Sequence, residues 1–182
     1  NPNHLKRDRP MTTDFTLSTG DQAHAIEAIK RTFARRLRCM DTKRWEIYPT
    51  LHTDDVVSET WDGLPDNNNW TPRSGTGNRV VGREPLTRAI RSLLDGGTTV
   101  TTVHHGHNPE IELTSDTTAT GIWAMEDQLW WTNGDVEEHL HGYGHYHEQY
   151  RFEGGVWLIS YRKLTRLRVD VTPHFFDFLK QR

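Results

Sequence analysis

The sequence predicts an α+β fold, with helices gathered on one face of a long, curved antiparallel sheet. Two observations lead there. The helical periodicities all lie before Gly97, and nearly everything after it alternates in runs bounded by turn residues. Such a sheet buries its apolar face against the helices, which keeps the two kinds of element segregated. Wrapped as a cone around a long N-terminal helix, it leaves a deep pocket at one open end.

Residues 21–40 carry the clearest helix. Ile26, Ile29, Phe33, Leu37 and Met40 recur at three- and four-residue steps, and Asp21 is a fitting N-cap. "DTKRWEIYP" predicts a short second helix capped by Asp41 or Thr42 and closed before Pro49. "DVVSETW" alternates as a strand, and the Gly-, Asn- and Pro-rich residues 62–81 predict a long loop. "GREPLTRAIRSLLDGG" predicts a third helix, with Pro85 in the first turn, a stripe of Leu86, Ile90 and Leu93, and a glycine stop. Strands follow over 98–107 and 110–114, then in "TATGIWAMEDQLWW", "HGYGHYHEQYRF" and "VWLISYRKLTRL". The predicted turns are Ser115–Asp116, Asn133–Gly134 and Glu153–Gly155.

We expect a single domain over residues 20–170, an N-terminal extension over 1–19 and a C-terminal tail over 171–182, in which "HFFDFL" suits a short helix or docking segment. "NPNHLKRDRP" lacks the apolar core of a signal peptide, and Met11, which follows it, is the expected natural start. A net charge of −3 offers no electrostatic reason to bind nucleic acid or an anionic membrane. No apolar run approaches the roughly 20 residues that span a bilayer. The lone cysteine, Cys39, cannot form an internal disulfide, which fits the cytoplasm, and core packing is its expected role.

Histidines carry the chemical signal. "VHHGHNPEIEL" holds His104, His105 and His107, and "HLHGYGHYHE" holds His139, His141, His145 and His147. An imidazole exchanges protons near neutrality, and a carboxylate on one ring nitrogen fixes the tautomer and supports the imidazolium. Strand alternation sets His104 opposite to His105, and returns His107 to the side of His105 unless Gly106 bulges the strand. His139 and His141, near a turn, are expected in solvent. "HGHNPEIE" also approaches a cupin-type metal spacing through His105, His107 and Glu112. The upstream glycine of that motif is missing, Pro109 interrupts the strand, and the N-terminal helix is foreign to such a barrel. No metal or cofactor is therefore expected.

Order and spacing together resemble the SnoaL-like branch of the nuclear-transport-factor-2-like superfamily, whose fold is cystatin-like. The matching stretches are "RRLRCMDTKRWEIYPTLHTDDVV", "GREPLTRAI", "VHHGHNPEIEL" with "TATGIWAMED", and "GYGHYHEQYRFEGGVWLISYRKLTRLR". That branch includes polyketide cyclases, scytalone dehydratase and bile-acid dehydratase. The resemblance implies that Asp41 and one of His104 and His105 face a pocket as an acid–base pair. The tyrosine that usually precedes the aspartate is absent, and Arg36 stands near its place. Related dehydratases bind an anionic group through an arginine on the last strand, which makes Arg162 a candidate. The plainer expectation for Arg162, Arg166 and Arg168 is a solvated strand face. Tyr48, Trp45, Trp61, Trp123, His145 and His147 are further candidates for contact with substrate, alongside Trp130 and Trp131 as aromatic walls. "LWW" at 129–131, if exposed, would suit a dimer patch.

The function expected is that of a cofactor-independent lyase or isomerase of the dehydratase kind. It would act on a small, apolar and cyclic substrate, in a homodimer. A non-catalytic ligand-binding or assembly module of the same fold is the alternative, and a His/Glu metal enzyme the third.

Overall fold

The computed structural model describes residues 16–60 and 78–181. Helix α1 (Thr19–Asp41) is capped by Ser18, whose hydroxyl accepts from the Asp21 amide at 3.1 Å. Asp21, the expected cap, sits instead in the first turn, where a carboxylate complements the helix dipole. The helix buries Ala25, Ile29, Phe33, Arg36, Leu37 and Met40, and Ile26 is only partly covered. At its end Thr42 closes onto the Arg38 carbonyl through both its amide and its hydroxyl, and Lys43 takes a left-handed φ of 57°. That reversal replaces the expected second α-helix with turns and a 3-10 segment at Tyr48–Leu51, entered through Pro49.

Strand β1 (His52–Thr60) pairs antiparallel with β2 (Asn78–Val81), which falls within the stretch expected as loop. Helix α2 (Arg83–Asp95) follows Gly82, whose φ of 96° is left-handed, and it buries Leu86, Thr87 and Leu94. Strands β3 (Thr101–Leu113), β4 (Thr118–Asn133), β5 (Val136–Glu153) and β6 (Val156–Val171) then run as hairpins. The six-stranded order is β2-β1-β6-β5-β4-β3. Because β1 lies parallel to β6, the sheet is mixed rather than wholly antiparallel. This curved, open sheet with its N-terminal helix is the predicted α+β architecture.

The break expected near Asn108 and Pro109 is a bulge inside one continuous strand. The register passes from His107 opposite Ala124 to Glu110 opposite Ile122, and Asn108 takes a φ of 40°. Proline is tolerable there because β3 is the sheet edge.

Among the described residues, two apolar clusters hold the fold together. The larger lies between α1 and the inner sheet face and includes Cys39, whose thiol burial pushes up in pKa. The smaller joins Val100, Trp131, Leu140 and Val169 to Phe175 and Phe178 of the C-terminal 3-10 segment (Phe175–Gln181). The tail is thus part of the packing. Trp131, a candidate aromatic wall or, if exposed, part of a dimer patch, is buried beneath it, and its Nε1 donates to the Phe175 carbonyl at 2.7 Å. Leu129 and Trp130 are half-buried. Among the described residues no helix is long and apolar enough to cross a membrane.

Candidate active site

Asp41 ends α1 and meets the beginning of β3. Its Oδ1 lies 2.6 Å from Nδ1 of His104 and accepts from the Thr102 hydroxyl at 2.8 Å, while Oδ2 accepts from the His104 amide at 3.0 Å. Thr102 and His104 share the inner face because they are two residues apart. The three bonds fix the carboxylate, and a carboxylate can only accept, so in the neutral ring Nδ1 carries the proton and Nε2 keeps its lone pair. Behind Thr102, Lys43 Nζ approaches its hydroxyl at 3.5 Å. Burial lowers the Lys43 pKa, against the opposing pull of Asp41 and Asp95.

His105 does not join this pair. Its ring turns to the outer face beside that of His107, and both residues are exposed, although His105 also borders the groove that Asp41 and His104 line. The ambiguity between His104 and His105 is thereby resolved in geometry: only His104 reaches Asp41. The histidine side chain is 8% exposed and the carboxylate 23%. Both border a groove of about 560 Å³ between α1 and β3, lined largely by Phe33, Leu37, Gly106, Pro109 and Trp123, with Lys30 and Arg38 at its rim. Phe33 lies flat on Trp123, with ring centroids 3.7 Å apart. This approach requires Gly106, where a Cβ would stand 2.3 Å from the Phe33 ring.

Beyond the groove, the buried interior also holds polar side chains. Arg36 donates to Glu148 at 2.6 Å with both side chains wholly buried, and Tyr150 donates to the same carboxylate at 2.5 Å. Asp127, directly across from His104 on β4, binds Arg166 through both oxygens at 2.6 and 2.7 Å. Burial alone would push the Asp127 carboxyl up, but Arg166, then His104 and His141, outweigh it and hold the pKa below the usual range. Gly142 makes room for this ion pair, since a Cβ there would fall 1.8 Å from an Arg166 nitrogen. Arg162 is also buried, contrary to the expected solvated face; only Arg168 is exposed, paired with Asp170. Nε and Nη1 of Arg162, Nε of Arg36, the Tyr48 hydroxyl and Nε2 of His52 are buried without a hydrogen-bond partner among the described residues.

The other candidates scatter. Trp123 borders the groove. Trp45 is buried and donates to Asp95 at 2.9 Å, tying the turn after α1 to α2. Tyr48 is buried beside His52. His145 and His147 lie on the outer face of β5, away from the groove, because Tyr146 and Glu148 take the inner one. His139 and His141, expected in solvent, are half-buried: His139 stacks on Trp130, and His141 binds Glu126. Trp61 lies outside the described residues. Thr102 and the Asp127–Arg166 pair escaped sequence reasoning. Their signal was available in the alternation of β3 and β4, which sets a threonine and an aspartate on the inner face.

Residues 21–163 match the family model of the SnoaL-like domain. Among solved structures, a scytalone dehydratase-like protein from Novosphingobium aromaticivorans superposes with a TM-score of 0.67 at 19% identity, over 85% of this chain and 92% of that one. The hexachlorocyclohexane dehydrochlorinase LinA-type3 from Novosphingobium barchaimii gives 0.68 at 17%, over 86% and 95%. ActVI-ORFA from Streptomyces coelicolor gives 0.59 at 12%, over 78% and 96%. At such identities the likeness is one of fold.

Proposed function

The chain belongs to the SnoaL-like domain family, and on that premise we propose that it is a lyase or isomerase working by acid–base catalysis at His104 and Asp41, without a cofactor. The observation that carries this reading is the 2.6 Å contact between His104 Nδ1 and Asp41 at the wall of a largely apolar groove. Two of the structural neighbours bear the names of elimination enzymes, a dehydratase and a dehydrochlorinase.

In the elimination we envisage, His104 Nε2 removes a proton beside a substrate carbonyl, and Asp41 supports the imidazolium so formed. The electron pair left on carbon forms the double bond as the neighbouring hydroxyl departs. The imidazolium returns its proton to that hydroxyl, releasing water and restoring neutral His104. The groove's apolar walls suit a small cyclic substrate and limit competing water. His145, on the outer face, has no part in this scheme.

The test is a panel of cyclic β-hydroxy ketones, followed by the absorbance of the conjugated product. Turnover by the native chain that falls at least about 100-fold in His104→Ala, or ~3 kcal/mol of transition-state stabilisation, fits the usual worth of an acid–base group. Turnover that survives in His104→Ala removes the dyad from the chemistry. One observation favours the second reading, a ligand-binding module: the Phe33–Trp123 stack floors the groove. That reading predicts saturable binding of panel members with no product.

A further inference from the structure

The outer face of the same sheet carries a set of side chains that the dyad does not use. His105 and His107, two residues apart on β3, both point outward, and Glu126 on β4 stands directly across from His105. One ligating atom from each of these three residues lies within 4.8 Å of the others. An ion bound at the usual ~2.0–2.2 Å draws such donors to roughly 3–3.5 Å apart, a closure within reach of small rotations of two exposed rings and a carboxylate. The carboxylate is already oriented from behind. His141 on β5 donates from Nε2 to Glu126 Oε1 at 2.6 Å, and the Tyr143 hydroxyl donates to His141 Nδ1 at 3.1 Å. One such bond leaves a carboxylate with acceptor capacity for a metal, and hydrogen-bonded carboxylates are the usual kind in metal sites. Glu112, the acid suggested by sequence spacing, lies beyond the bulge opposite Thr120 and outside this group.

We infer that His105, His107 and Glu126 form a binding site for a divalent transition metal of the zinc class, with a position open to water. Two neutral imidazoles and one carboxylate suit such ions and not magnesium. The site clips the edge strand β3 to β4, with each ligand adjacent to a residue of the inner face: His105 follows His104, and Glu126 precedes Asp127. An ion that binds only the folded chain stabilises it by mass action, so this clip steadies the strand that carries the dyad without entering its chemistry.

The experiment uses the full chain, stripped with a chelator and dialysed against zinc chloride, with bound zinc measured by elemental analysis and stability by thermal unfolding. The inference predicts one zinc per chain at saturation and a rise in Tm, neither reproduced by magnesium. His107→Ala and Glu126→Gln should each weaken zinc binding at least tenfold while keeping the native circular dichroism, and His145→Ala should bind as the native chain does. Should Glu126→Gln prove poorly folded, His107→Ala alone decides. No saturable zinc, half an equivalent per chain, or undiminished binding by His107→Ala overturns the site.

Discussion

His52 shows what burial does to one titratable side chain. It has no exposed surface, its Nδ1 donates to the Tyr48 carbonyl at 2.9 Å, and burial, reinforced by Arg36, pushes its pKa down to about 3. The folded chain therefore holds His52 neutral at acidities where the unfolded chain protonates it, near 6.5. Between those two values the unfolded state binds one more proton, so stability falls as pH drops from about 6.5 toward 3. For this residue alone the loss between pH 7 and pH 5 should be about 2 kcal/mol. Urea unfolding at the two pH values checks it: His52→Gln should flatten the difference by that amount, and an unchanged difference would remove His52 from the acid response. The same residue illustrates what a sequence conceals. Nothing in "YPTLHTDDVV" reveals that His52 is buried near Arg36, because the partners are far apart in the chain.

At the scale of elements, the contact of α1 with β3 and β4 depends on Gly106. A methyl group there would meet a Phe33 ring already pinned against Trp123. Gly106→Ala should therefore cost about 1–3 kcal/mol by overpacking, read from the urea midpoint. A loss below the scatter of the measurement would mean that Phe33 moves freely and that the groove floor is open. One link from α1 to β5, beside the packing of Phe33 on Tyr146, is ionic. Removing one partner, as in Glu148→Gln, strands the wholly buried Arg36 charge and should cost roughly 3–5 kcal/mol, whereas Arg36→Met with Glu148→Leu should recover much of it. A double variant as unstable as the single one would show that the pair itself stabilises the fold. Alternation made Glu148 legible as a neighbour of Tyr146 and Tyr150. Its pairing with Arg36 was not, since helix and strand meet only in the folded chain.

For the whole molecule, the chain after Pro173 closes one end of the sheet. Phe178, 3% exposed, packs edge-on against Trp131 and Phe175. Phe178→Ala should cost about 3–5 kcal/mol, seen as a lower Tm, and should expose the Trp131 indole to quenchers. Unchanged quenching would detach the tail from the core. The sequence read this segment as a tail because an aromatic run names no docking surface. By contrast, the long helix, the four hairpin strands and their turns were legible, since each depends on local periodicity and turn chemistry. The parallel pairing of β1 with β6 and the collapse of the second helix at Lys43 depend on contacts or backbone conformations that periodicity does not encode. In the site, the resemblance paired Asp41 with one of two histidines and alternation separated His104 from His105; the fold shows that His104 is the one that meets Asp41.

The central claim is that Asp41 holds His104 with its proton on Nδ1, leaving Nε2 free to act as a base. Nitrogen-15 NMR of histidine-labelled protein at pH values where His104 is neutral reads this tautomer directly, without a substrate. The account predicts the Nδ1–H form in the native chain and a mixture shifted toward Nε2–H in Asp41→Ala, which removes the acceptor. A His104 that carries its proton on Nε2 in the native chain, or that ignores Asp41→Ala, would contradict it.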